Sequence, residues 1–99
     1  MTAQTATIAD FLLARIAEDE YACRFLVDAE PGRLFVCGVR VDGRKMLAEC
    51  EAKRRIVERL EAVRRDEGQW AEADGLEFAV RALAQPHADH PDFRPEWRA

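Results

Sequence analysis

A chain of 99 residues and 11.3 kDa is the size of one domain, and it buries only roughly 65% of its unfolded surface in one modest core. Its 48% apolar and 34% charged residues fit a soluble globular or helical protein, not a disordered tail, and the absence of serine and asparagine excludes a serine nucleophile and an N-glycosylation acceptor. The net charge of −4 is uneven: residues 1–43 carry −3, residues 44–65 carry +4 and residues 66–99 carry −5, so the basic middle has acidic partners within its own chain.

Residues 1–6 precede any start signal and are read as a flexible N-terminus. Thr7-Ile-Ala-Asp10 is a capping box, in which each side chain satisfies the other residue's amide. Behind it, Ile8, Phe11, Leu12, Ile16, Ala22 and Cys23 share one sector of a helical wheel, which predicts a first helix over 7–23. The runs Arg24–Asp28 and Arg33–Val41 are rich in β-branched and aromatic residues around Pro31-Gly32, a type II turn pair, and predict a short β element over 24–41: a hairpin or, where residues 24–28 continue the first helix, a strand over 34–41 with no partner in the chain.

Asp42-Gly43 caps a second helix over 43–67, with Met46, Leu47, Cys50, Ile56, Val57, Leu60 and Val63 apolar and Gly68 as the stop. Asp74-Gly-Leu-Glu77 reads as another capping box and predicts a third helix over 75–85, closed by Pro86. Residues 86–99 carry prolines at 91 and 95 and read as an extended tail. The fold class is mainly α with a minor β part. A long antiparallel helix pair is joined by a short hairpin or strand, with a third short helix and the tail docked on the helices.

Four constellations are candidates for function. Arg15 and Asp19 lie inside the apolar sector of the first helix, and Glu49 and Lys53 inside that of the second, both as i, i+4 pairs. An antiparallel hairpin would bring them into one buried network that fixes register, or into an acid/base site with shifted pKa values. The structural reading leads, since no nucleophile or histidine accompanies them. His87, Asp89 and His90 offer a metal set, yet the segment is short and proline-flanked, and local capping is the simpler reading. Arg54, Arg55, Arg59, Arg64 and Arg65 form a basic helix that could follow phosphates, but glutamates at 49, 51, 58 and 61 interleave with it. Phe93 and Trp97 concentrate apolar area in the last seven residues, and docking back onto the helices is favoured over presentation to a partner. Phe78, off its helix stripe, and Trp70 add apolar surface for self-association.

No apolar run reaches the length of a membrane span and no signal peptide is legible, so a cytoplasmic protein is expected. Cys23, Cys37 and Cys50, odd in number and spaced by 14 and 13, read as reduced, mostly buried thiols rather than a disulfide or zinc framework.

Three stretches resemble a family of small actinobacterial and actinophage proteins of unknown function. Phe11-Leu-Leu-Ala-Arg-Ile-Ala-Glu-Asp-Glu20 is similar to the family's opening helix with its acidic run. Met46-Leu-Ala-Glu-Cys-Glu-Ala-Lys-Arg-Arg-Ile-Val57 is similar to its E/D-A-K-R-R-I helix, and Ala88-Asp-His-Pro-Asp-Phe-Arg-Pro-Glu-Trp-Arg98 to its terminal tail. Residues 27–43 are shortened relative to that family, and His87 stands where a tyrosine is common. The resemblance supplies no activity, cofactor or catalytic residue. It implies that the motifs belong to one design, with Glu49, Lys53, His90 and Trp97 near one another and the tail crossing the helix pair.

The leading functional expectation is a non-enzymatic interaction module with a protein partner, and a homodimer is expected on account of small size and surplus apolar positions. No cofactor is called for. A nucleic-acid-associated regulator using the arginines of the second helix is the alternative, and a metal-dependent site at His87, Asp89 and His90 the third reading.

Overall fold

The structure, a computed structural model, describes residues 6–27, 35–36, 39–40, 42–66, 68 and 70–99. It is mainly helical, with three α-helices among the described residues: α1 (Ile8–Val27), α2 (Gly43–Arg65) and α3 (Trp70–Ala84). The N-terminus expected to be flexible lies outside the described residues except for Ala6.

The capping box forms as the sequence predicts. The Asp10 amide donates to Thr7 Oγ1 at 3.1 Å and the Thr7 amide to Asp10 Oδ2 at 3.3 Å, which removes two orphan donors from the start of α1. The helix then runs to Val27, four residues beyond the expected end at Cys23. The predicted hairpin between residues 24–28 and 33–41 is not supported, because Arg24, Phe25, Leu26 and Val27 are helical. β-Propensity gives way to packing here. Helical geometry sets Tyr21 edge-on to Phe25 at 5.3 Å, places Arg24 at the negative helix end, and lays Leu26 and Val27 against the start of α2. The β pairing among the described residues is a two-residue antiparallel ladder, Phe35–Val36 with Val39–Arg40.

Asp42 caps α2, its carboxylate accepting from the amides of Arg44 at 3.0 Å and Lys45 at 3.3 Å. The helix ends at Arg65, and Gly68 takes a φ of 105°, a left-handed turn that side chains resist. That turn starts α3 at Trp70, four residues before the expected capping box, so Asp74-Gly-Leu-Glu77 lies inside the helix.

Three contacts fix the register of α1 on α2 as antiparallel. Glu20 pairs with Arg54, Cys23 meets Cys50, and the Gly43 backbone abuts Leu26. The core sits at the opposite end of the pair from Gly43. Leu12, Ile16, Val57, Leu60 and Val80 are fully buried there, joined by Phe11 and Ala84. The tail is not extended: residues 85–87 and 95–97 form 3₁₀ turns, and Phe93 and Trp97 are only 9% and 8% exposed.

Candidate functional site

The docked tail builds a cluster around Phe11. That ring meets Phe93, Trp97 and His90 at centroid distances of 5.7, 5.2 and 5.6 Å, with His87 edge-on at 6.3 Å. Gln85 ties the tail to α3. Its amide nitrogen donates to the carbonyls of Arg81 (2.9 Å) and Trp97 (2.7 Å), and its oxygen accepts from the Ala99 amide at 3.3 Å.

One turn beyond Phe11, buried Arg15 stacks its guanidinium 5.2 Å from the Phe11 ring. Its Nη2 lies 3.1 Å from Glu18 Oε1 and its Nη1 against His90 Nε2, while Nε is buried without a hydrogen-bond partner. The Asp92 amide donates to His90 Nδ1 at 3.0 Å. A neutral imidazole has one lone pair for these two donors, so only one of the two hydrogen bonds is satisfied at a time. Beside the cluster lies a cleft of about 470 Å³ lined by Asp10, Arg15, Asp92 and Arg94 among others. Two cations face two anions there.

A second site lies between the C-terminal half of α1 and the N-terminal half of α2. Asp19, Ala22, Cys23 and Leu26 on one helix and Met46, Glu49, Cys50 and Lys53 on the other line a pocket of about 240 Å³. Cys23 and Cys50 are buried and unbridged, and both line this pocket from facing helices. Burial, the neighbouring Cys23 thiol and the Asp19 carboxylate raise the Cys50 pKa above the ordinary thiol value, and Lys53 opposes them.

The sequence-predicted residues divide between the two sites. Arg15, His90, Phe93 and Trp97 meet at the tail, whereas Asp19, Glu49 and Lys53 surround the thiol pocket. The expected four-residue buried network does not form. Arg15 turns to the tail, while Asp19 and Glu49 stay exposed at the pocket rim, where their carboxylates keep their hydration. Nor do Glu49 and Lys53 approach His90 and Trp97. The antiparallel register sets the first half of α2 opposite Asp19–Leu26, whereas the tail packs on Phe11 near the start of α1. The convergence of Cys23, Cys50 and Met46 was missed, although both cysteines stand on the apolar stripes of their helices.

The basic face of α2 is largely neutralised. Arg54 pairs with Glu20, Arg59 with Glu72 and Arg64 with Glu77, while Arg55 and Arg65 are exposed. Arg59 holds Glu72 through two hydrogen bonds of 2.7 and 3.0 Å, which lower the carboxyl pKa. The pair's contribution to stability is present above the ordinary glutamate pKa of about 4.3 and is lost as pH falls through the lowered folded value. In an NMR titration of the Glu72 side chain, Arg59→Ala should move its midpoint upward; an unmoved midpoint would show that the pair is absent in solution.

The set His87, Asp89 and His90 does not converge on a metal position, and no group of three or more His, Cys, Asp or Glu side chains among the described residues is placed to hold one. No helix among the described residues is long and apolar enough to cross a membrane. No curated protein and no solved structure matches the chain. A family match runs over residues 5–99, nearly the full length; the chain belongs to the Family of unknown function (DUF6221).

Proposed function

We propose that the chain is a non-enzymatic, cytoplasmic interaction module of actinobacterial or actinophage origin, and that its partner is a second copy of itself. The observation that supports this reading is the outer face of α3. The exposed positions of that helix are Trp70, Ala71, Asp74, Gly75, Phe78 and Ala82, a stripe with one charge. Trp70 and Phe78 are 76% and 77% exposed, while the tail aromatics that could have served as anchors are buried in the molecule's own core.

An apolar, nearly uncharged stripe is self-complementary, as an isologous interface between two copies requires. Ala71, Gly75 and Ala82 let a second α3 approach closely around Phe78. Two aromatics per copy, at roughly 150–250 Å² each, bring the buried total to about 600–1,000 Å², at the low end for a specific interface. The expected dimer is therefore weak and concentration-dependent.

Sedimentation equilibrium over a wide concentration range tests it. The wild-type chain should show a monomer–dimer equilibrium, and Phe78→Glu should be monomeric at every concentration with an unchanged circular dichroism spectrum. A wild-type chain that stays monomeric throughout, or a Phe78→Glu variant that still dimerises, would sink the reading.

A further inference from the structure

The pocket between α1 and α2 has a chemistry that neither the tail cluster nor the α3 face uses. Three of its lining residues carry sulfur: Cys23 and Cys50, which face each other from the two helices, and Met46 one turn before Cys50. Thiolate and thioether are soft donors, and such sets select Cu(I) among the common biological metals. Zinc asks for four nitrogen, oxygen or sulfur donors in a tetrahedron, and among the described residues no third His, Cys, Asp or Glu is placed to join the two thiols. Low-coordinate Cu(I) needs no such set.

The surroundings also fit. The pocket is open on one side, so an ion can enter without unfolding the helix pair. Ala22 and Leu26 add apolar surface beside the exposed Asp19 and Glu49 carboxylates, while Lys53 supplies a positive charge. Because the two thiols come from facing helices, an ion bound between them also clamps α1 to α2, at the end of the pair away from the fully buried core.

We propose that Cys23, Cys50 and Met46 form a binding site for a soft monovalent cation of the Cu(I) class. Binding replaces the two thiol protons by one ion. Cys23 and Cys50 each release a proton to solvent, two sulfur–metal bonds form, and no electron is transferred. The resulting dithiolate–metal unit carries a single negative charge, which the Lys53 ammonium at the rim offsets. The Met46 thioether supplies a neutral third ligand.

The test is anaerobic titration of the full-length reduced chain with Cu(I), supplied as its acetonitrile complex, in competition with the chromogenic chelator bathocuproine disulfonate. One Cu(I) should be withdrawn from the chelator per chain, and the loaded protein should melt at a higher temperature. Cys23→Ala and Cys50→Ala should each abolish the withdrawal. Cys37→Ala, which removes the third thiol of the sequence, should leave it unchanged. Met46→Leu, a volume-conserving change at a partly exposed position that leaves both thiols in place, should weaken binding about tenfold while the circular dichroism spectrum stays the same. The proposal falls if the wild-type chain takes no Cu(I) from the chelator, or if either single-cysteine variant binds as well as wild type. It falls equally if Cys37→Ala removes binding, if Met46→Leu binds with wild-type affinity, or if Zn(II) displaces Cu(I) at equal concentration.

Discussion

Replacing Trp97 by alanine is expected to lower the stability of the chain by about 3–5 kcal/mol, the usual cost of removing a large aromatic side chain from a core. The ring packs 5.2 Å from Phe11 and 5.6 Å from Phe93, it is 8% exposed, and the Trp97 carbonyl accepts from Gln85. Its loss therefore leaves a cavity against α1 and loosens the hydrogen bonds that hold the end of the chain. A domain of this size has a total stability on the order of 5–15 kcal/mol, so the variant approaches the unfolding threshold. Thermal melting followed by circular dichroism should show the midpoint falling by about 4–8 °C for each kcal/mol lost. Trp70→Ala is the matched control. That side chain is 76% exposed, and at a protein concentration low enough to keep the chain monomeric its removal should change stability by no more than about 0.5 kcal/mol. A Trp97→Ala variant that melts with the wild-type protein would mean that the tail is no part of the core.

Features that depend on three or four neighbouring residues were legible in the sequence. The Thr7–Asp10 box and the Asp42 cap are local hydrogen-bond patterns, and the helices begin where they say. The apolar stripes of α1 and α2 named the core residues for the same reason: Leu12, Ile16, Val57 and Leu60 repeat with the helical period. Residues 24–27 failed because their local preference is balanced, and the decision belongs to a distant partner, Gly43, whose lack of a side chain lets α2 start against the last turn of α1. The start of α3 failed in a similar way. Asp74-Gly-Leu-Glu77 is a sound capping pattern, but the turn at Gly68 and the Arg59–Glu72 pair begin the helix earlier.

The candidate sites were harder to read than the fold. Phe93 and Trp97 could be recognised as residues that need burial, yet nothing in the spacing said that Phe11 receives them. Grouping Glu49 and Lys53 with His90 and Trp97 went wrong through register. One antiparallel offset decides which turns of α1 and α2 face each other, and it is set by Glu20 with Arg54 and Cys23 with Cys50 rather than by the motifs themselves. The same offset creates the sulfur pocket, which is why Cys23 on one helix and Met46 and Cys50 on the other gave no joint sequence signal.

The glycines at 43 and 75 should respond to the same substitution with opposite signs. A Cβ on Gly43 would stand 2.6 Å from the Leu26 carbonyl carbon, 2.7 Å from the Val27 nitrogen and 2.8 Å from Leu26 Cβ. Two of these atoms are backbone, so no rotamer change relieves the overlap. The start of α2 must move away from the end of α1, which also pulls Cys50 from Cys23. Gly43→Ala is therefore expected to cost about 1–3 kcal/mol, as overpacking generally does. Gly75 lies within α3 with nothing within 4 Å of an added Cβ, and its φ is not positive. There alanine removes the conformational freedom that glycine has in the unfolded chain, and Gly75→Ala should stabilise by about 0.5–1 kcal/mol. Urea denaturation at low protein concentration measures both without a contribution from association through α3. A Gly43→Ala variant as stable as wild type would show that α1 and α2 do not meet at Leu26 and Val27, and the helical ending of α1 would lose its physical reason.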